Sequence, residues 1–353
     1  MSDGHVMIMA GGTGGHIFPG LAVARVLIGR GVRVSWLGTP HGLENRVVPE
    51  AGIELDTIQI GGLRGKGATG WLAAPWRVVK AMLQARRILR ARRPGCVLSM
   101  GGYVAGPGGL MARLMGIPLI IHEQNAIAGL TNRWLRPLAH KALTGFPEAL
   151  RNAEHCGNPV RRDIAELDDP VERYSGRSGP LQMLIIGGSQ GAAAFSTSVP
   201  RALALLPDQR RPRVVHQAGR QLEPTRSAYD QAGVEGEVVE FIDDMASAWG
   251  RADIAICRAG ALTVAELAAA GVPAVLVPFP FAVDDHQSAN ARYLTTAHAA
   301  WQVSQRKFTP EWLAERLRGL NREQLQAMAG RARALARPGA AERVADVCME
   351  VAT

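Results

Sequence analysis

The chain has 353 residues, 47% apolar and 20% charged, which fills the cores of roughly two or three domains and is too apolar for a disordered polymer. No apolar run approaches the roughly 18–20 residues of a membrane span, and the start, MSDGHVMIMAGGTGG, meets glycines too early for an export signal, so a spanning or exported protein is not expected. The net charge is +9, yet residues 1–160 hold 18 Lys and Arg against 8 Asp and Glu, while residues 161–353 hold 22 against 23. A basic first half points to an anionic partner, whether nucleic acid, an acidic lipid surface or a phosphorylated substrate. Arg outnumbers Lys 36 to 4, so an Arg-rich proteome is an alternative source of the charge. Cys96, Cys156, Cys257 and Cys348 lie far apart in sequence with no CxxC pair, and read as reduced thiols rather than a disulfide framework or zinc site.

Short apolar runs alternate with helical patterns along the chain. His5–Ala10, Val32–Leu37, Cys96–Ser99 and Pro118–His122 read as buried strands, with helices at Ile17–Ile28 and Gly108–Met115. Residues 71–93, WLAAPWRVVKAMLQARRILRARR, form an amphipathic helix. Trp71, Leu72, Trp76, Val78, Val79, Met82, Leu83 and Leu89 share one arc, opposite Arg77, Lys80 and Arg87, and Arg86 breaks the arc. Such a helix suits an anionic lipid surface, or simply a core. The boundary falls at His155–Arg162, where Gly and Asn-Pro interrupt regular structure, and the polar stretch DIAELDDPVERYSGRSGP after it reads as a linker or domain edge. Then Leu181–Ile186, Arg213–His216, Val238–Phe241, Asp253–Cys257 and Ala274–Val277 repeat the strand pattern, with helices near 192–205, 220–232 and 261–270. Two helices separated by Pro338-Gly339 end the chain. The alternation predicts an α/β protein with two tandem doubly wound Rossmann-like domains.

Three glycine clusters follow predicted strands: Gly11–His16, Gly101–Gly106 and Gly187–Ala192. A Gly-rich turn that opens a helix lets backbone N–H groups approach an anion, at the helix end where negative charge is favoured. These are not the common nucleotide fingerprints. GxGxxG fails in the first and third loops, no GxxxxGK is present, and Leu37-Gly38-Thr39 offers no acidic residue for an NAD ribose. Glu266 is the one charged residue between Arg258 and Asp284, on an Ala/Leu-rich helix, and fits either a ribose diol or an exposed surface position. The polar run Asp284–Asn290 suits hydroxyl-rich ligands, or a capping loop.

Six ordered segments span nearly the whole chain: GGTGGHIFPGLAVA (11–24), GGYVAGPGG (101–109), HEQNAIAGLTNR (122–133), GNPVR (157–161), GGSQGA (187–192) and RAGALTVAELAAAGVPAVLVPF (258–279). On these the chain resembles the MurG family. Its members are the UDP-N-acetylglucosamine:N-acetylmuramyl-(pentapeptide) pyrophosphoryl-undecaprenol N-acetylglucosaminyltransferases of bacterial peptidoglycan synthesis. The resemblance implies a GT-B fold with an inter-domain cleft. Residues 1–160 would form the acceptor and membrane-associated domain and 161–338 the UDP-sugar domain, with a final helix at about 339–353 packing back on the first. It implies inverting transfer of N-acetylglucosamine to the 4-hydroxyl of the N-acetylmuramic acid of lipid I, forming lipid II. UDP-N-acetylglucosamine is then a substrate, and no cofactor or bound metal is implied, in keeping with the absence of any Asp-x-Asp.

By the same resemblance Glu266 binds the ribose and the Ile242 backbone the uracil, Arg161 lies near the nucleotide, Ser189 near the donor phosphates, and Ala261, Leu262 and Thr263 line the turn and helix start facing the donor. Asn125 and Gln287 reach the donor sugar, and His286, Thr13, Gly14 and Gly15 also border the donor. Gly14, Gly15, Gly102 and Tyr103 meet the acceptor diphosphate. The family often has Gln-Gln where His286-Gln287 stands. His16 is the candidate base, because a neutral imidazole titrates near working pH; a phosphate ligand or loop-ordering role are its alternatives. A lipid acceptor places the protein peripherally on the cytoplasmic face of the inner membrane, with lipid I, anionic lipid and other cell-wall synthesis proteins as partners and no nucleic acid. Rival readings are another sugar-nucleotide enzyme of this fold, such as a diacylglycerol glycosyltransferase or UDP-N-acetylglucosamine 2-epimerase, or a basic nucleic-acid-binding protein. The last lacks an aromatic platform and leaves the glycine loops unexplained.

Overall fold

The computed structural model describes residues 4–61, 74–188 and 190–352 and divides the chain into two compact units, Met1–Arg161 with Gly339–Thr353, and Arg162–Pro338. In the first unit β1 (His5–Ala10), β2 (Arg33–Gly38), β3 (Glu54–Thr57), β4 (Cys96–Gly101), β5 (Leu119–Glu123), β6 (Lys141–Thr144) and β7 (Glu154–His155) form a parallel sheet in the order β3-β2-β1-β4-β5-β6-β7. Helices α1 (Gly14–Gly29), α2 (Glu44–Glu50), α3 (Ala74–Arg92), α4 (Ala105–Leu114) and α5 (Leu130–Leu135) connect the strands. The order reverses between β1 and β4, the switch point where doubly wound sheets bind ligands.

β1 shows why the buried strands read as continuous apolar runs. Val6, Ile8 and Ala10 join one core together with Ile17, Leu21 and Leu27 of α1, while Met7 and Met9 join a second with Ala81, Ala85 and Leu89 of α3. Both faces are covered, so every position must be apolar. α1 starts at Gly14, three residues before the expected Ile17, because the glycines themselves take helical conformation; His16 therefore stands in the first turn. At Gly20 the helix closes onto β2, and a Cβ there would lie 2.6 Å from the Trp36 ring, which is fully buried and donates from Nε1 to the Ala10 carbonyl at 2.8 Å.

The second unit runs α6 (Arg162–Ala165), α7 (Pro170–Tyr174), β8 (Gln182–Ile186), α8 (Ala193–Ala204), β9 (Arg213–Gln217), α9 (Leu222–Ala232), β10 (Glu237–Val239), α10 (Met245–Arg251) and β11 (Ile254–Cys257). It continues through α11 (Ala261–Ala270), β12 (Ala274–Leu276), α12 (His286–Thr295), β13 (Ala300–Gln302), α13 (Pro310–Arg318) and α14 (Arg322–Ala334). Its parallel sheet has the order β10-β9-β8-β11-β12-β13. The chain then returns to the first unit as α15 (Ala340–Ala352), whose Val344, Ala345, Val347 and Cys348 complete the core beside α1. Arg343 of α15 grips Glu154 with two hydrogen bonds of 2.7 and 2.9 Å.

Three of these expectations gain detail. The stretch read as a linker or domain edge is the edge of the second unit, anchored there: Arg173 donates to the carbonyls of Gly250 at 3.2 Å, Gly271 at 3.0 Å and also Ala270, and the Tyr174 hydroxyl donates to Asp253 O at 2.8 Å. Arg177 pairs at 2.6 Å with the Asp253 carboxylate, which is fully buried. Asp163, Glu166, Asp168, Asp169 and Glu172 of this stretch are exposed, while Arg173 and Arg177 turn inward and satisfy main-chain carbonyls. Cys96 and Cys348, distant in sequence, meet in the first core, where Cys96 Sγ lies 3.4 Å from the Cys348 carbonyl. Finally, the apolar arc of the amphipathic helix splits: Leu89 is buried and Val78 and Met82 are half-buried, whereas Trp76, Val79 and Leu83 are exposed, with Trp76 at 73%; Ala81 and Ala85, outside that arc, are buried as well. Trp71 and Leu72 lie outside the described residues.

His122 on β5 and His216 on β9 have no exposed surface, and desolvation lowers each imidazole to about 4. The unfolded chain therefore takes up these protons first as pH falls below the ordinary imidazole range near 6.5. Their contribution to stability is complete above that value and is lost on descent toward 4, by up to about 1.4 kcal/mol per pH unit for each imidazole. Urea midpoints are expected to fall between pH 7 and pH 5, and less steeply for the second unit in His216→Gln.

Candidate active site

The two glycine loops of the first unit lie against each other. Gly102 has φ +82°, and a Cβ on it would lie 2.6 Å from the Gly11 carbonyl oxygen, so only glycine permits this approach. A Cβ on neighbouring Gly101 would lie 3.1 Å from the His16 ring, which places the imidazole over the end of β4. Thr13 occupies the N-cap of α1 in extended conformation, yet its hydroxyl caps nothing. The N–H groups of Gly14 and Gly15 fall in the first turn, where no helical carbonyl stands upstream to accept them. Tyr103 is 54% exposed beside them. The structure thus gathers Thr13, Gly14, Gly15, His16, Gly102 and Tyr103 at the carboxyl ends of β1 and β4.

Two buried carboxylates fix this loop cluster, and the sequence reading found neither. Leu37-Gly38-Thr39 offers no acidic residue of its own, but Glu44 returns to that strand end. Its Oε1 accepts from Thr39 N at 2.9 Å and Thr39 Oγ1 at 2.7 Å, and its Oε2 from Gly12 N at 3.2 Å. Glu44 has no exposed surface and braces the loop rather than facing a ribose. Glu123, 1% exposed, accepts from Asn125 N and Nδ2, Gly129 N and Asn132 Nδ2 at 2.9, 3.3, 3.0 and 2.9 Å. Asn125 is thereby held at the end of β5. Next to it, Gln124 Oε1 lies 2.8 Å from His16 Nδ1. Glu123, Gln124 and Asn132 stand in the segment HEQNAIAGLTNR, and its density of amides and acids was the available signal.

In the second unit α11 opens at Ala261, with Leu262 and Thr263 completing a first turn of open N–H groups. Glu266, one turn further, is half-buried and receives a hydrogen bond at 3.3 Å from Nε1 of Trp249, a residue of α10 absent from the sequence expectations. Ile242 lies just beyond β10, and its N–H and C=O make no hydrogen bond among the described residues. Gln287 Oε1 accepts from Phe279 N at 2.9 Å, which leaves its NH2 group as the end that can meet a ligand. His286 opens α12 after Asp284 and Asp285, both left-handed at φ 52° and 50°. Arg258 reaches the Val277 carbonyl at 3.1 Å and lies 5.0 Å from the Phe195 ring; burial lowers its pKa. Arg161 is the last residue of the first unit, and Ser189 lies outside the described residues. Among the described residues no group of three or more His, Cys, Asp and Glu side chains is arranged to hold a metal ion.

Residues 6–144 match the glycosyltransferase family 28 N-terminal domain, and residues 182–346 match the glycosyltransferase family 28 C-terminal domain. The chain belongs to glycosyltransferase family 28. It is 57% identical over 353 residues to the UDP-N-acetylglucosamine--N-acetylmuramyl-(pentapeptide) pyrophosphoryl-undecaprenol N-acetylglucosamine transferase of Bordetella parapertussis, covering all of this chain and 99% of that one. The enzyme of the same name from Alkalilimnicola ehrlichii is 56% identical over 98% of this chain and 99% of its own. Among solved structures, Acinetobacter baumannii MurG matches at 44% identity and a TM-score of 0.87 over 98% of this chain and 99% of that chain. A kitacinnamycin glycosyltransferase, 21% identical with a TM-score of 0.73 over 99% of each chain, shares the fold. The GT-B assignment and family 28 membership agree with the sequence-based resemblance.

Glu44→Gln turns an NH2 group toward donors that need an acceptor. It is expected to destabilise the first unit by about 2 kcal/mol or more, read from the urea midpoint, while Glu50→Gln on the exposed side of α2 leaves it unchanged.

Proposed function

We propose that this chain transfers N-acetylglucosamine from UDP-N-acetylglucosamine to the 4-hydroxyl of the N-acetylmuramic acid of lipid I, inverting the anomeric carbon to form lipid II. The supporting observation is 57% identity across the whole chain to a transferase named for that chemistry. In this reading the second unit takes the donor. Glu266, steadied by Trp249, accepts from the ribose hydroxyls, and the Ile242 backbone reads the uracil. Ala261, Leu262 and Thr263 offer main-chain N–H groups to the diphosphate, with Ser189 and Arg161, and Gln287, His286 and Asn125 address the sugar. The first unit takes the acceptor diphosphate on Gly14, Gly15, Gly102 and Tyr103, with Thr13 beside them.

His16 Nε2 then removes the 4-hydroxyl proton as that oxygen attacks the anomeric carbon. The bond from that carbon to the diphosphate breaks, and its electron pair departs with UDP, where the positive end of α11 meets the charge. With no Asp-x-Asp in the chain, the reading uses no protein-bound metal and no cofactor. Purified protein given UDP-N-acetylglucosamine and a short-chain lipid I analogue should yield UDP and disaccharide together. His16→Ala should lower kcat by about 10²–10⁴ while UDP binding persists, and Glu266→Ala should raise the donor KM by about tenfold or more. UDP release without acceptor would instead support an epimerase-like enzyme.

A lipid acceptor also requires a membrane surface. Trp76, Val79 and Leu83 form an exposed apolar face of α3, Arg77, Lys80 and Arg87 opposite that arc are exposed too, and so are Leu114 of α4 and Trp134 of α5. Among the described residues no helix is long and apolar enough to cross a membrane. We take this face as a peripheral contact with anionic lipid on the cytoplasmic side of the inner membrane. The double variant Trp76→Glu, Leu83→Glu is expected to lose tenfold or more of its affinity for phosphatidylglycerol vesicles in co-sedimentation, with UDP affinity unchanged; equal vesicle binding would remove the assignment.

A further inference from the structure

Four groups in the first unit form one line of hydrogen bonds that begins at His16 and ends in the interior. His16 Nδ1 lies 2.8 Å from Gln124 Oε1, and Gln124 Nε2 lies 3.0 Å from His122 Nδ1 and 2.9 Å from the His122 carbonyl oxygen. His122 Nε2 lies 3.0 Å from the Gly157 carbonyl oxygen. The buried end determines where every proton sits. A carbonyl oxygen only accepts, so His122 must donate from Nε2 to Gly157, and a neutral His122 then presents a bare Nδ1 that accepts. Burial keeps this imidazole neutral near pH 7, since its pKa is lowered to about 4.

The Gln124 side chain therefore faces two acceptors, His122 Nδ1 and the His122 carbonyl, and its NH2 group must point there. The reverse orientation would set carbonyl against carbonyl with no proton between them. Gln124 Oε1 is left toward His16 as a pure acceptor, so His16 donates from Nδ1. Gln124 is 1% exposed and His122 fully buried, so water does not substitute for either partner. The Gln124 main chain is held as well, its carbonyl accepting from Asn158 Nδ2 at 3.0 Å.

We propose that Gln124 is the positioning residue that fixes His16 in the Nδ1–H tautomer, so that the Nε2 lone pair is the one available to take the proton of the acceptor hydroxyl. The proposal rests on the reading of His16 as the base. In water the Nε2–H tautomer of a histidine side chain predominates, and that form has its lone pair on the wrong nitrogen for this geometry. When the hydroxyl proton moves to Nε2, the imidazolium keeps its Nδ1–H bond to Gln124, so no second proton transfer is needed. A carboxylate at this place would orient the ring equally well but would favour the charged form before reaction; the amide orients it without adding charge. The ionisable neighbours are His122 and Glu123 of β5, both buried, with Glu123 committed to Asn125, Gly129 and Asn132.

The test reads the tautomer directly. In full-length protein labelled with 15N-histidine, two-bond 1H–15N correlations report which ring nitrogen carries hydrogen, and the His16 signals are those missing in His16→Ala. Wild-type protein should show His16 as Nδ1–H at pH 8. Gln124→Met removes the acceptor at similar length and should convert His16 largely to Nε2–H, with kcat reduced about 10- to 100-fold and the donor KM unchanged. Gln124→Glu, held as the neutral acid by burial, donates its O–H to His122 Nδ1 and turns its carbonyl oxygen toward His16, so it should retain Nδ1–H and recover most of kcat relative to Gln124→Met. It also serves alone if the methionine variant does not fold. A wild-type Nε2–H tautomer, an Nδ1–H tautomer that survives Gln124→Met, or an Nε2–H tautomer in Gln124→Glu overturns the proposal. Full kcat in His16→Ala would overturn the base reading instead, while the tautomer spectra still report the effect of Gln124.

Discussion

A parallel sheet covered by helices on both faces confines polar chemistry to the carboxyl ends of its strands, and in the first unit that edge is shaped by one contact: Gly102 against the Gly11 carbonyl. No side chain fits between them, so the turn after β1 and the turn after β4 lie together and bring His16 over Gly101. Such closeness buries main-chain donors that must find acceptors. Glu44 and Glu123 supply them, each a buried carboxylate that collects N–H and O–H groups and pairs with no cation among the described residues. Hydrogen bonds to the charged form offset the cost of burying it. The loops are held from beneath, and the helix start at Gly14 and Gly15 stays open above.

The second unit meets the same constraint with the opposite charge. Arg173, Arg177 and Arg322 converge on Asp253 and on the carbonyls at the ends of α10 and α11, fixing the helix that carries Glu266. Arg258 stands between Phe195 and Phe279 and donates to main-chain carbonyls and to Gln305, a cation whose charge no carboxylate among the described residues neutralises. Trp249 links the two parts, since its fully buried ring fixes α10 while its N–H reaches Glu266. A carboxylate oriented in this way can hold two hydroxyls at fixed spacing without a reorganisation cost on binding.

The line from Gly157 to His16 extends this logic from holding atoms to holding protons. Two carbonyl oxygens, which can only accept, fix the direction of every hydrogen bond between them and the imidazole. The outcome depends on burial, because solvent at His122 or Gln124 would allow either orientation. Interior packing and proton placement at the candidate base are in this sense one problem.

Much of this was legible in the sequence. Runs apolar at every position announced strands buried on both faces, glycine clusters announced strand-to-helix turns, and six ordered motifs announced the family, because these features are local and each is repeated. The short strands at Glu54–Thr57, Lys141–Thr144 and Ala300–Gln302 were not, since three or four residues carry too little pattern. Nor was the splitting of the α3 arc, because periodicity places residues on a face without saying what covers it. Above all, Glu44 at Gly12, Trp249 at Glu266 and Gln124 at His16 join positions 17 to 108 residues apart. Such pairings depend on where the sheet order brings strand ends and on which groups lose access to water, and only the tertiary structure decides both.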